Sequence, residues 1–160
     1  MKILLLGEMS GVHKYLRTGL RNLGHEVVLY SNGDGYKNIE SDGRIFDLFN
    51  GSSWLANYKK TYDDAVEKAQ RYKGYDVVSF MSTRIYPTMI NRRIMDIVKE
   101  NNKYVSLISG GNDYALYKAY KSGKFKYYFM DYDNSVSKQY SSNIFKALAI
   151  KNVEEYLKNE

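Results

Sequence analysis

The chain has 160 residues, of which 44% are apolar, with a net charge of +6 and no cysteine. That length fits one domain with a sizeable core, and the apolar share excludes a disordered chain. The missing thiols exclude a disulfide framework or a thiolate metal site, the two histidines (His13, His25) are too few for a histidine-rich one, and no apolar run is long enough for a signal peptide or a bilayer span, so a cytoplasmic place is expected.

Ile3 to Leu6 is continuously apolar, as a strand covered on both faces should be. Gly7 to Gly11 interrupts the chain where this strand hands over to a helix. Ser10 is placed to cap that helix, and Val12, Leu16, Leu20 and Leu23 fall on one face of it. Gly24 suits a left-handed helix end. Val27 to Tyr30 is a second buried strand, which makes the unit a right-handed parallel crossover. Ser31 to Gly43 reads as a loop. Ile45 to Phe49 is expected as a short third strand. Ser52 or Ser53 then caps a long helix with Leu55, Tyr58, Tyr62, Ala65 and Ala69 on one side.

Asp76 to Met81 reads as a central strand. Pro87 suits a first helical turn, and Ile90, Ile94, Ile97 and Val98 make the stripe of that helix. Tyr104 to Ser109 is a further buried strand, followed by Gly110-Gly111-Asn112-Asp113 and a helix from about Tyr114 to Tyr120. Phe145, Leu148, Ala149, Val153, Tyr156 and Leu157 give the tail a helical pattern. Strands alternate with helices, so the expected class is α/β: a Rossmann-like three-layer domain over 1–160 with a mainly parallel sheet in order 3-2-1-4-5. Ligands of such sheets bind outside the carboxyl ends of the strands. Gly7 to Gly11, Ser82-Thr83-Arg84 and Ser109 to Asp113 are expected to converge there.

The first glycine loop is G-x-x-x-G. It is not the G-x-G-x-x-G of a dinucleotide site, and no acidic residue ends the second strand to hold a ribose. No G-K-[ST] follows a glycine run, which excludes a P-loop. His13 either hydrogen-bonds a substrate or is a packed residue of the first turn. His25 is a turn residue. Gly110 to Asp113 reads as a sugar-hydroxyl site with Asp113 as a base, or as a plain helix cap. Asp131-Tyr132-Asp133 has the D-x-D spacing of a metal-assisted diphosphate site, a pattern that is also common by chance. Residues 1–80 hold 11 basic and 10 acidic side chains, and residues 81–160 hold 13 and 8. A basic second half suits an anionic partner or a solvated lysine-rich surface. In Tyr117 to Tyr128, lysines interleave with aromatics, which fits packed tyrosines with solvated lysines better than a nucleic-acid or membrane patch.

"MKILLLGEMSGVHKYLRTGLRNLGHEVVLYSNGDGYKN" resembles the start of a GT-B-fold glycosyltransferase of the retaining family-4 type, as found in bacterial surface-polysaccharide synthesis. The features are the Gly7 turn, His13, Leu23 to Val27, and the Gly33-Asp34-Gly35 loop. "YDVVSFMS" and "YVSLISGGNDYALYKAYKSGK" resemble the fourth and fifth strand exits. The resemblance implies a two-domain enzyme, of which this chain is the N-terminal, acceptor-side half. It further implies a nucleotide-sugar co-substrate, a glycan or lipid-linked acceptor and no metal or other cofactor; no nucleic-acid partner and a peripheral membrane surface are expected, and the exposed inter-domain face of a half-enzyme should favour self-association. The C-terminal donor domain, with its basic residues and E-x7-E motif, is not recognised in this sequence, so the chain alone is expected to be inactive. Many members carry a histidine at the fifth strand exit where Ser109 and Gly110 stand here, which leaves Asp113 as the nearest catalytic candidate. Gly7, Ser10, Gly11, His13, Arg84, Gly110, Gly111 and Asn112 are the expected substrate-binding residues. The other reading from the residues is a non-enzymatic α/β module for a nucleotide or polyanion.

Overall fold

The computed structural model describes residues 1–47, 54–82, 90–108 and 122–124, with residues 54 and 55 described by backbone only. The chain divides into two compact units, Met1–Gly110 and Gly111–Glu160. Of the second, the described residues form a turn around Gly123, whose φ is 71°.

The first unit runs β1 (Lys2–Leu6), α1 (Val12–Asn22), β2 (Glu26–Tyr30), a 3-10 turn (Gly35–Lys37), α2 (Trp54–Arg71), β3 (Val77–Phe80), α3 (Asn91–Glu100) and β4 (Tyr104–Leu107). The four strands form one sheet in order β2-β1-β3-β4, and every pair is parallel. The class is therefore α/β, as the alternating pattern implies. Right-handed crossovers put α1 on one face and α2 and α3 on the other, and α2 packs on α3.

Each face of the sheet follows from the two-residue alternation of side chains. Ile3, Leu5, Val27 and Leu29 make one buried cluster, with Leu20 of α1 and Val77 packed against it. Leu4, Leu6, Val78 and Phe80 point the other way and are fully buried, as are Ala65, Ala69, Ile94 and Val98 on the helices. Each large side chain buried here contributes roughly 1.5–3 kcal/mol. Tyr30 extends that second face and stacks on Tyr72, with ring centroids 5.2 Å apart. The apolar stripe of α3, Ile90 to Val98, is buried as its spacing predicts. The exit of α1 is a Schellman turn: Gly24, at φ 81°, donates to Arg21, and His25 donates to Leu20.

Three expectations are corrected. The strand order is not 3-2-1-4-5, because residues 45–47 form no strand (48 and 49 lie outside the described residues). Side chains and a loop cover the edge of β2 instead. Asp42 Oδ2 accepts the Leu29 N–H at 2.8 Å, and the Asp42 N–H donates to the Leu29 carbonyl at 2.8 Å. Arg21 donates to the Val27 carbonyl from both Nε and a terminal nitrogen. Beyond these, a single bridge joins Tyr30 and Gly43. The edge groups that a neighbouring strand would pair are thus already taken.

The second correction is the rotation of α1. Its buried residues are His13 and Arg17, while Val12 and Leu23 stay 45% and 74% exposed and only Leu20 of the expected stripe packs inward. Hydrogen bonds set this rotation. His13 is tied to Gly7, and Arg17 reaches Asp42 at 3.0 Å. The third correction is β4, where Tyr104 and Ser106 are exposed and Val105 and Leu107 half-buried, so it is not a strand covered on both faces.

Candidate functional site

The parallel register aligns Tyr30, Leu6, Phe80 and Leu107 in one row, so all four strands end at the same edge. The chain leaves β1 through a loop in unusual conformations. Gly7 and Gly11 have φ of 87° and 90°, and Ser10 has φ 53°. A Cβ on Gly11 would also lie 3.0 Å from the Tyr15 ring, so glycine suits this position on two counts. Asp34 and Asn38, on the loop after β2, are left-handed as well, at 57° and 44°. Strained residues gathered at one mouth are a common mark of a functional site.

Two carboxylates hold this loop. Glu8 accepts the Met9 N–H on Oε1 at 2.7 Å and the Lys14 N–H on Oε2 at 2.8 Å. Asp34 accepts the Ser10 N–H at 2.8 Å and the Lys37 ammonium at 2.9 Å on one oxygen. Lys37 also donates to Ser10 Oγ at 2.7 Å. The Ser10 N–H, followed by the Lys37 ammonium, keeps the Asp34 carboxyl below the usual carboxylate range, and Asp34 in turn raises Lys37. Ser10, Gly11, Lys14, Tyr15, Lys37 and Ile39 line an open cleft of about 310 Å³.

His13 is completely buried beneath the loop. Its Nδ1–H donates to the Gly7 carbonyl at 2.7 Å, which leaves Nε2 of the neutral ring to face Ser79 Oγ of β3 at 3.4 Å. Burial pushes its pKa down, and this outweighs the opposing pull of the Gly7 bond and the Glu8 charge. His13 therefore positions the loop and offers no ring nitrogen to the cleft. Of its two expected roles, the structure places it in that of the packed residue.

Of the expected site residues, Gly7, Ser10, Gly11 and His13 thus come together at the β1 exit. Ser10 is not the helix cap. Gly11 holds the cap position with no side-chain cap bond, and the Ser10 hydroxyl accepts from Lys37 instead. Arg84, Gly110, Gly111, Asn112 and Asp113 lie outside the described residues, as do Asp131, Asp133 and Pro87. Glu8, Tyr15, Lys37 and Ile39 belong to this neighbourhood but are not marked out by the sequence pattern. Lys37 follows a Ser-Asn-Gly-Asp-Gly loop, and left-handed turns there are the one signal that could have pointed to it.

Among the described residues, no group of three or more His, Cys, Asp or Glu side chains could hold a metal ion. No helix among them is long and apolar enough to cross a membrane. Compared with known proteins, the chain matches no family model, no curated protein and no solved structure.

Proposed function

We propose that the chain is the Rossmann-like, acceptor-binding half of a glycosyltransferase. In this reading the enzyme moves a sugar from a nucleotide-sugar donor to a growing surface glycan or lipid-linked acceptor. A second domain grips the donor, and the chain alone does not transfer sugar. The observation that carries the reading is the β1 exit. Its glycine-rich, left-handed loop opens, together with the loop after β2, into a cleft beside the carboxyl edge of a parallel sheet, the edge where ligands of such sheets bind. The cleft offers a hydroxyl, an exposed tyrosine and two lysines, groups suited to a polar, partly stacked ligand such as a sugar.

Inactivity of the isolated chain follows from the chemistry of transfer. The departing diphosphate must be stabilised by fixed positive charge. Donor and acceptor must also be held in one reacting geometry, which is worth up to roughly 7–11 kcal/mol. The test is a transfer assay with a panel of nucleotide sugars and glycan acceptors, run with the chain alone and with it fused to a donor-binding domain. Transfer by the fusion and none by the chain supports the reading. Robust transfer by the chain alone, or none by any fusion, rejects it.

A further inference from the structure

Four of the donors around the β1 exit already have carboxylate partners. A phosphate bound at this loop would draw on the amides of Met9, Ser10 and Lys14 and on the Lys37 ammonium, since these lie where the loop turns into α1. All four already serve carboxylate oxygens supplied by the chain. Glu8 takes Met9 and Lys14, and Asp34 takes Ser10 and Lys37. Of the two lysines at the cleft, Lys37 is paired with Asp34, and Glu8 adds a second carboxylate at the same loop, bound to the Lys14 backbone N–H. An incoming anion would therefore meet two negative groups and would have to displace charge-assisted bonds.

A neutral polyol meets no such opposition. The Ser10 hydroxyl and the exposed Tyr15 ring remain at the wall of the cleft, and Ile39 supplies an apolar surface. We infer that Glu8 and Asp34 are specificity-determining residues that make the cleft at the β1 exit accept an uncharged, hydroxyl-bearing group and refuse a phosphate-bearing one. This rests on the reading of the cleft as the acceptor side of a glycosyltransferase. It adds that the part of the acceptor held here is a neutral sugar unit, with any lipid phosphate held elsewhere.

Glucose and glucose 6-phosphate test this, because they share one polyol and differ by the anion. Amide shifts of Met9, Ser10, Gly11 and Lys14 would be followed in ¹H–¹⁵N spectra at constant ionic strength. In the native chain, glucose 6-phosphate should bind the loop no more tightly than glucose. In the Glu8→Gln/Asp34→Asn double variant its affinity should rise about tenfold or more, the scale set by freeing charge-assisted donors. Adding Lys37→Met to that variant should reduce the gain. Should the double variant lose spectral dispersion, the single variants Glu8→Gln and Asp34→Asn carry the same comparison, each with a smaller rise. Tighter binding of glucose 6-phosphate than glucose by the native loop overturns the inference. So does a folded variant that gains nothing for glucose 6-phosphate, whatever glucose does. These titrations involve no donor and no transfer, so their failure is separate from any failure of the transfer assay.

Discussion

The Nδ1–H of His13 donates to the carbonyl of Gly7, six residues earlier, at 2.7 Å and with no solvent exposure of the ring. This bond ties the first turn of α1 to the end of β1 and so fixes where the glycine loop turns. Removing the ring leaves a buried carbonyl without its donor. His13→Ala should cost about 2–4 kcal/mol, from the lost bond and the cavity together. His13→Asn, which can still donate, should cost less. Urea denaturation of both variants checks the order.

The same residue gives a pH signature. Burial lowers the His13 pKa in the folded state below its ordinary value of 6.5. The unfolded chain then binds the proton more readily, so stability is fully present above about pH 6.5 and falls as the pH drops below it. Asp34, Asp42 and Asp47 have lowered pKa values, so their contributions are lost only at more acid pH, below about 4. Unfolding free energy measured between pH 4.5 and 7 (roughly the histidine window) should slope upward with pH in the native chain and flatten in His13→Asn.

Asp42 closes the edge of β2. Burial alone would raise its carboxyl, but the Leu29 N–H and the Arg17 and Arg21 guanidinium groups outweigh it and hold the carboxyl below its usual range. Asp42→Ala should lose about 1–3 kcal/mol, as for a hydrogen-bonded charged group. It should also expose the β2 edge to pairing with other chains. Size-exclusion profiles with concentration should show stronger association in Asp42→Ala than in the native chain.

Two glycines should respond to alanine with opposite signs. A Cβ on Gly43 would lie 2.7 Å from the Tyr30 ring, which is itself stacked on Tyr72. Gly43→Ala should therefore destabilise by about 1–3 kcal/mol. Gly19 is inside α1, and a Cβ there meets nothing within 4 Å. Gly19→Ala should stabilise by roughly 0.8–1 kcal/mol, the helix-propensity difference. Thermal unfolding of the pair checks both signs.

What was legible in the sequence divides by the kind of force at work. Strands β1, β2 and β3 are short apolar runs between loops, and burial on both faces leaves little else for Ile3 to Leu6 or Val77 to Phe80 to be. Periodicity also found α3, because apolar contact alone decides which face of that helix turns inward. It failed for α1, where the bonds of His13 and Arg17 override the stripe of Val12, Leu16 and Leu23. It failed again at Ile45 and Phe46, which are buried without pairing as a strand, because Asp42 and Arg21 had already satisfied the edge. The glycine loop was legible because positive φ demands glycine. Its carboxylate clasp was not, because Asp34 meets Ser10 across 24 residues, and no local spacing encodes that meeting.

A ligand map decides whether the β1 exit is where a glycan binds. The chain would be titrated with a panel of neutral oligosaccharides from surface glycans while its amide spectrum is followed. Saturable shifts should centre on Gly7, Ser10, Gly11 and Tyr15 and weaken sharply in Gly11→Val, whose side chain would meet Tyr15 and resist the left-handed backbone. Saturable shifts centred on the opposite edge of the sheet, around Lys2, Glu26 and Tyr104, or binding left unchanged by Gly11→Val, would contradict it.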